Sequence, residues 1–183
     1  MPDENFYEIE RRWIIKDIPS RTLINRSTRR KVGYIFNSDS ELRLVKAFNP
    51  TITTNYISIK TDGGLVRKEW QERIPDWAFD AAWPQTVNNR LEITRHFIND
   101  NNNLLEIDEY HGRFKGLIKL EVEFTEVETS IGYKLPIFIK AHVDVTNDNR
   151  FNNKNLARLK PIHAQQLVKA IQTQQKLLER TVK

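Results

Sequence analysis

Apolar and polar residues alternate along most of the chain, and this pattern predicts a protein built mainly of β-strands. The alternating segments are residues 6–15, 32–36, 41–48, 55–61, 67–73, 89–97, 104–111 and 117–124. In the last of them, Lys119, Glu121 and Glu123 share one face and apolar residues fill the other. Successive side chains of a strand point to opposite faces, so the pattern indicates a sheet with one polar and one apolar face.

Helical patterns are few. Pro75 to Trp83 begins with a proline and is followed by Pro84, which is typical of a short helix. Residues 151–159 predict a second short helix, and Pro161 opens a longer one that reaches about Val182. The remaining segments are predicted turns at residues 17–20, 37–40, 62–64 and 99–103, a partly extended stretch at 137–145, and a basic, solvated loop at 21–31.

Acidic and basic residues interleave on the polar face of most predicted strands. In the first strand, Glu8, Glu10 and Arg12 share that face. Two carboxylates about 7 Å apart along a strand repel each other unless a cation lies between them. Two arrangements are open: an antiparallel sheet that turns its charged face to water, or a sheet that closes around the charges. A closed, charged interior is costly unless its charges are paired or bind a charged ligand.

The composition is typical of a single domain of ordinary size, since 29% of the 183 residues are charged and 39% are hydrophobic. No apolar run approaches the ~20 residues that cross a bilayer, and no signal peptide is evident, so we expect a cytoplasmic protein without membrane contact. The absence of cysteine excludes a thiolate zinc site. The net charge of +5 suits polyanionic ligands, but the scattered Lys and Arg argue against general nucleic-acid binding.

The polar faces supply two sets of candidate ligands of opposite sign. Carboxylates without histidine or cysteine favour hard cations, so the acidic set indicates Mg²⁺ or Mn²⁺. Its members are Glu8, Glu10, Glu69, Glu121, Glu123 and Asp144. The basic set can hold phosphate oxygens by charge-assisted hydrogen bonds. Its members are Arg12, Arg43, Lys60, Arg67 and Arg95.

An ordered series of short motifs runs through residues 6–159. It consists of Glu8-Ile9-Glu10-Arg11-Arg12, Glu41-Leu42-Arg43-Leu44, Ile59-Lys60-Thr61-Asp62-Gly63-Gly64, Trp83-Pro84, Thr94-Arg95, Leu120-Glu121-Val122-Glu123-Phe124 and the segment from Asp144 to Phe151. The first resembles the Glu-x-Glu-x-Lys signature of the CYTH family, also called triphosphate tunnel metalloenzymes. The last is similar to that family's carboxylate-Val-Thr-x-Asp-x-Arg-Tyr segment. The series resembles most of all the short bacterial members that hydrolyse inorganic triphosphate.

The resemblance implies an α+β, mainly β fold: a closed eight-stranded antiparallel β-barrel with a few flanking helices. Residues 1–160 would form the tunnel domain, and a helix of residues 161–183 would pack on the barrel, plug it or form the seam of a homodimer. The implied activity is hydrolysis of inorganic triphosphate or of an organic or nucleoside triphosphate, in which a water attacks the terminal phosphorus. The implied partner is therefore a small phosphorylated molecule.

The resemblance also implies a role for each candidate residue. The metal ligands would be Glu8, Glu10, Glu121, Glu123 and Asp144. The substrate-binding residues would be Arg12, Arg43, Lys60, Arg67 and Arg95. The catalytic residues would be Arg12, Glu69 and Arg95.

The chain departs from the family pattern at four positions. Arg12 stands where the signature has lysine, Gln71 where a glutamate is frequent, Val45 where a second arginine is usual and Ile93 where a lysine is usual. Each of the two missing cations would cost about 1.5–3 kcal/mol of phosphate binding. These departures leave room for an organic triphosphate whose organic part touches Val45 or Ile93. Two alternatives stay open, a module that binds a phosphorylated ligand without turnover and a class IV adenylate cyclase-like reaction.

Overall fold

The structure, a computed structural model, describes residues 7–36, 41–61 and 65–181. These residues include nine β-strands and four α-helices. The strands are β1 (Tyr7–Ile15), β2 (Arg26–Phe36), β3 (Glu41–Phe48), β4 (Thr53–Lys60), β5 (Val66–Ile74), β6 (Arg90–Asp100), β7 (Asn103–Tyr110), β8 (Ile118–Phe124) and β9 (His142–Asp144). The helices are α1 (Asp76–Ala82), α2 (Val127–Gly132), α3 (Asn153–Arg158) and α4 (Pro161–Thr181). Within the described ranges, no helix is both long and apolar enough to cross a membrane.

The first eight strands close into a barrel. They are hydrogen-bonded in the order β5-β4-β3-β2-β6-β7-β8-β1, and β5 also pairs with β1. All of these pairings are antiparallel. The predicted closed eight-stranded antiparallel barrel is therefore confirmed, and the alternative of a sheet open to water is wrong. Because β2 lies four strands from β1 in either direction, these two strands form opposite walls.

The outer face of the barrel carries the apolar half of the alternating pattern. Trp13, Leu105, Leu120 and Val122 are almost fully buried there. Ile139 and the partly buried residues of segment 133–138 cover them, and α2 packs beside them against β1 and β8. Apolar residues therefore cover this part of the outer face, and the charged residues of the same strands point inward.

A second apolar cluster fills part of the interior and one end of the barrel. Val32, Val45 and Ile93 alternate with charged inward-facing residues and are themselves 1–5% exposed. They pack in one cluster with Phe151 and Leu156 and with Ala164, Val168 and Ile171 of α4. Because this cluster spans residue 160, α4 is part of the same core as the barrel.

The local predictions are confirmed in part. Residues 26–31 are the first half of β2, so the predicted solvated loop is wrong there. The partly extended stretch predicted at 137–145 is confirmed, because its residues 142–144 form β9. The short helix α2 was not anticipated. The turns predicted at 37–40 and 62–64 lie outside the described residues.

Candidate active site

A cavity of about 480 Å³ lies inside the barrel, and most of the residues that line it are charged. Seven basic residues contribute to the lining, namely Arg12, Arg30, Arg43, Lys60, Arg67, Arg95 and Lys119. Seven acidic residues also contribute, namely Glu8, Glu10, Glu41, Glu69, Glu106, Glu121 and Glu123. The described lining therefore carries equal numbers of opposite charges.

Three carboxylates from two adjacent strands form a cluster on one wall. One oxygen from each of Glu8, Glu10 and Glu123 lies within 4.8 Å of the others. Glu8 and Glu10 share a face of β1, and the register of β1 against β8 places Glu123 directly opposite Glu10. The period-two pattern of both strands thus creates the cluster.

The members of this carboxylate cluster have very different electrostatic surroundings. Burial raises the pKa of Glu8, but the charges of Lys60 and Arg67 outweigh it and lower that pKa to about 2. Burial and the charges of Glu8 and Glu10 raise the pKa of Glu123 to about 7. Burial and Glu121 raise the pKa of Glu10 as well. The carboxylates of the cluster therefore repel one another, and this repulsion is strongest at Glu10 and Glu123.

The predicted cations of β3, β4 and β5 form a connected network with these carboxylates. Lys60 Nζ donates to both oxygens of Glu8 at 3.0 Å and lies 2.7 Å from Glu69 Oε2. Arg67 bridges Glu8 and Glu10, with both N–O distances at 2.7 Å. Arg43 Nη2 is 2.9 Å from Glu69 Oε1. The network holds Arg43, Lys60, Arg67 and Glu69 at one wall of the cavity.

Arg95 on β6 is surrounded by carboxylates. Its Nε and Nη2 atoms donate to both oxygens of Asp108 at 2.6 and 2.8 Å, and Nη1 contacts Glu106. Nη2 also donates to Glu121 at 3.0 Å. Burial raises the pKa of Glu121, but Lys119 and Arg95 lower it well below its usual value. Glu121 lines the cavity as a partner of cations, outside the three-carboxylate cluster.

Arg12 joins β1 to the segment that follows β9. Its guanidinium donates to the Thr146 carbonyl oxygen at 2.6 Å and to the side-chain oxygen of Asn152. It is 1% exposed, and its Nε is 3.5 Å from Glu10. Much of the hydrogen-bonding capacity of Arg12 is therefore used within the protein.

Asp144 lies on the outside of the barrel, away from the predicted metal ligands. Its carboxylate is 2.5 Å from Arg11 Nη2, and its side chain is 43% exposed. The β1–β9 register pairs it with Trp13, which faces outward, and this explains its position. The structure therefore does not bring Asp144 together with Glu8, Glu10 and Glu123, and its assignment to the metal site stays a prediction.

The departures from the family pattern occupy distinct surroundings. Gln71 lines the cavity, whereas Val45 and Ile93 belong to the internal apolar cluster and are not among its lining residues. The expected contact of these two residues with an organic group is therefore not supported. Lys46 follows Val45 and could replace the missing arginine only if a bulge turned it inward. It points outward to Asp80, because β3 keeps an unbroken register with both neighbours.

The two sets of candidate ligands left out five charged residues of the interior. They are Arg30, Glu41, Glu106, Asp108 and Lys119. Glu106 and Asp108 share one face of β7, opposite Leu105 and Ile107, and this alternation was a usable signal. Arg30 could not be assigned to the interior from the sequence, because the segment that contains it has basic residues on both faces.

The fold and the cavity together define a tunnel protein, in which a closed antiparallel barrel encloses charges of both signs. The chain is 31% identical over 153 residues to the inorganic triphosphatase of Nitrosomonas europaea, and the alignment covers 82% of this chain and 96% of that protein. A solved structure of an inorganic triphosphatase is 27% identical, with a TM-score of 0.61, covering 84% of this chain and 96% of that chain. No family model matches the chain.

A more distant solved structure has the same fold. It is a putative adenylyl cyclase from Hippeastrum described as having a dominant triphosphatase activity, with 16% identity and a TM-score of 0.52 over 68% of this chain and 83% of that chain. Sequence relationship and fold agree, and the chain belongs to the CYTH family of triphosphate tunnel proteins.

Proposed function

We propose that the protein is a triphosphatase that hydrolyses a triphosphate inside the tunnel with the help of divalent metal ions. The observation that carries the proposal is the cavity inside the barrel, whose walls bear a carboxylate cluster and several fixed cations. Phosphoryl transfer mainly requires positioning and charge neutralisation, so this arrangement needs no protein nucleophile. The similarity to an inorganic triphosphatase supports the same reaction.

The donor set fits Mg²⁺ or Mn²⁺. Glu8, Glu10 and Glu123 offer oxygen ligands alone, which hard divalent ions prefer. The raised pKa values of Glu10 and Glu123 indicate that a cation there would relieve repulsion. A bound ion would supply Lewis-acid polarisation and charge neutralisation at the phosphate oxygens.

The remaining cavity residues would bind and orient the phosphate chain. Arg43 is held by Glu69 and by the Ser58 hydroxyl, which accepts a hydrogen bond from Nε at 2.9 Å. Lys60 and Arg67 are fixed in the same way by carboxylates of β1. Cations fixed in this way lose little freedom when a phosphate binds, which strengthens electrostatic catalysis. Glu69 therefore acts as a positioning residue for Arg43 and Lys60.

The direct test is orthophosphate release from inorganic triphosphate and from ATP, with Mg²⁺, Mn²⁺ or excess chelator. We expect release that requires a divalent ion and that Glu10→Gln reduces at least about 100-fold, because the substitution removes a ligand of the ion. Phosphate release that is unchanged in chelator, or in folded Glu10→Gln protein, would contradict the proposal.

A binding module without turnover is the second candidate. Most lining cations are already paired with carboxylates, and apolar residues stand at positions 45 and 93. Fewer cations are therefore available to bind phosphate. Stabilisation by triphosphate and metal without phosphate release would favour this module. Formation of cyclic AMP from ATP without orthophosphate would instead favour cyclase chemistry.

A further inference from the structure

Arg30 lies on a strand whose two neighbours each have an apolar residue where the family usually has a cation. Its strand, β2, pairs on one side with β3, which carries Val45, and on the other with β6, which carries Ile93. In the β2–β6 register, Arg30 is the direct cross-strand partner of Ile93. Side chains of such partners lie side by side on one face, so Arg30 can deliver its charge to nearly the same place as a lysine at 93.

Arg30 differs from the other cations of the cavity in its partners. Arg12, Arg43, Lys60, Arg67, Arg95 and Lys119 each lie within ion-pair distance of at least one glutamate. Among the residues that the structure describes, no carboxylate forms an ion pair with Arg30. Its hydrogen bond goes from Nε to the Thr28 hydroxyl at 3.2 Å. An anionic ligand can therefore approach Arg30 without displacing an existing salt bridge.

The surroundings of Arg30 favour an anion. Burial and the nearby charges of Arg95 and Arg43 lower the pKa of its guanidinium to about 9, although the charge of Asp108 partly offsets them. The group still carries its charge at neutral pH, beside two other guanidinium groups. A half-buried cation that lacks a counter-ion is costly, and a bound phosphate would remove that cost.

The position of Arg30 across the tunnel is also suited to a metal-bound phosphate chain. β2 forms the wall opposite β1, which carries Glu8 and Glu10 of the carboxylate cluster. A phosphate chain between these walls could contact metal ions on one side and Arg30 on the other. A guanidinium has a fork of donors that matches two oxygens of one phosphate.

We propose that Arg30 is a substrate-binding residue that replaces the two missing cations and holds a phosphate group of the ligand on the wall opposite the carboxylate cluster. This inference rests on the proposed function, because it assumes that a polyphosphate occupies the cavity. Arg30 lies outside the motifs by which the family is recognised, so those motifs alone would not identify it as a substrate-binding residue.

The test compares Arg30→Gln and Arg30→Lys with the wild-type chain. Equilibrium binding of diimidotriphosphate, which resists hydrolysis, is measured by calorimetry with Mg²⁺, and phosphate release from triphosphate is measured separately. We expect Arg30→Gln to weaken binding about 10- to 100-fold and to raise KM more than it lowers kcat. Arg30→Lys retains the charge and should recover most of the affinity.

Thermal unfolding separates this role from a structural one. Arg30→Gln removes a half-buried, unpaired charge, so the apparent melting temperature without ligand should stay the same or rise. The control is Arg29→Gln on the outer face of β2, where the side chain is 63% exposed and pairs with Glu92. It should bind the analogue like the wild type.

Each outcome of this experiment is decisive. Wild-type affinity in Arg30→Gln, or an equal loss in Arg29→Gln, would overturn the inference. A wild-type chain that binds the analogue but releases no phosphate would refute the proposed hydrolysis and leave the role of Arg30 standing if Arg30→Gln binds more weakly. A wild-type chain that does not bind the analogue would contradict both.

Discussion

The buried guanidinium of Arg12 shows how one side chain can serve the architecture as well as the cavity. The family signature has lysine at this position, and a lysine ammonium is a compact point charge. The planar fork of Arg12 instead reaches two acceptors in the segment after β9, the Thr146 carbonyl and the Asn152 side chain. In this chain the residue fastens that segment to β1.

Arg12→Lys should therefore be destabilising, although it restores the residue usual in the family. A lysine cannot replace both contacts, and loss of a buried hydrogen bond to a charged group costs about 1–3 kcal/mol. The measurement is the free energy of unfolding in urea. Arg150→Lys is the control, because Arg150 lies in the same segment and its side chain is 73% exposed. Equal stability of wild type and Arg12→Lys would show that the contacts of Arg12 with this segment do not stabilise the protein.

The position of Asp144 leads to a second prediction at the residue scale. Asp144→Asn should leave the affinity for Mn²⁺ within about twofold of wild type, because the carboxylate pairs with Arg11 outside the barrel. Glu10→Gln should weaken it at least about tenfold, since even changes around metal ligands cost 10- to 100-fold. Titration of both variants with Mn²⁺ makes the comparison. An equal loss in both would return Asp144 to the metal site.

Close packing around β2 limits which residues its middle can hold. A Cβ atom added at Gly33 would lie 2.6 Å from Thr86 Oγ1 and 2.7 Å from Trp83 Cζ3. The turn of residues 83–86 therefore presses directly on the strand that carries Arg30. The close approach, and not an unusual backbone angle, requires glycine here.

Gly33→Ala should lower the free energy of unfolding by about 1–3 kcal/mol, the usual cost of overpacking. Gly132→Ala is the matched control, because a Cβ at Gly132 meets no atom within 4 Å. Alanine in this helical position should be neutral or slightly stabilising. Denaturant unfolding of the two variants gives the comparison, and similar free energies for Gly33→Ala and wild type would show that the turn can move.

The alternation of residue types was sufficient to predict most strands and the carboxylates of β1 and β8. It failed for the first half of β2, where Arg30 faces the cavity and Arg29 and Lys31 face outward. A strand between a charged interior and water has no apolar face there, so its period cannot be read from hydrophobicity. The position of Asp144 depended on the pairing of β9 with β1, which connects residues distant in sequence.

The balance of charge in the lining has consequences for the whole molecule. Seven acidic and seven basic residues face one cavity, so neither a bare metal ion nor a bare triphosphate matches it alone. Each ligand would disturb ion pairs that the other could restore. Binding of the two should therefore be coupled, and such coupling must act equally in both directions.

Thermal unfolding provides a test of this coupling. We expect Mg²⁺ or diimidotriphosphate alone to raise the apparent melting temperature slightly, and both together to raise it by more than the sum. A ligand at 100 times its dissociation constant stabilises a protein by about 2.7 kcal/mol, so a clear shift should be visible. Additive shifts would show independent sites, and chelator should remove the part due to the metal.

The place of Arg30 between two substituted positions bears on how such proteins are compared. Within a closed barrel, a ligand senses the electrostatic potential of a wall, to which three adjacent strands contribute. A charge can move from one strand to its neighbour while that potential is retained. A sequence alignment read position by position would record only two missing cations, at 45 and 93, and an unrelated arginine at 30. In relatives whose aligned tunnel positions lack a cation, the charges of neighbouring strands should therefore be considered together.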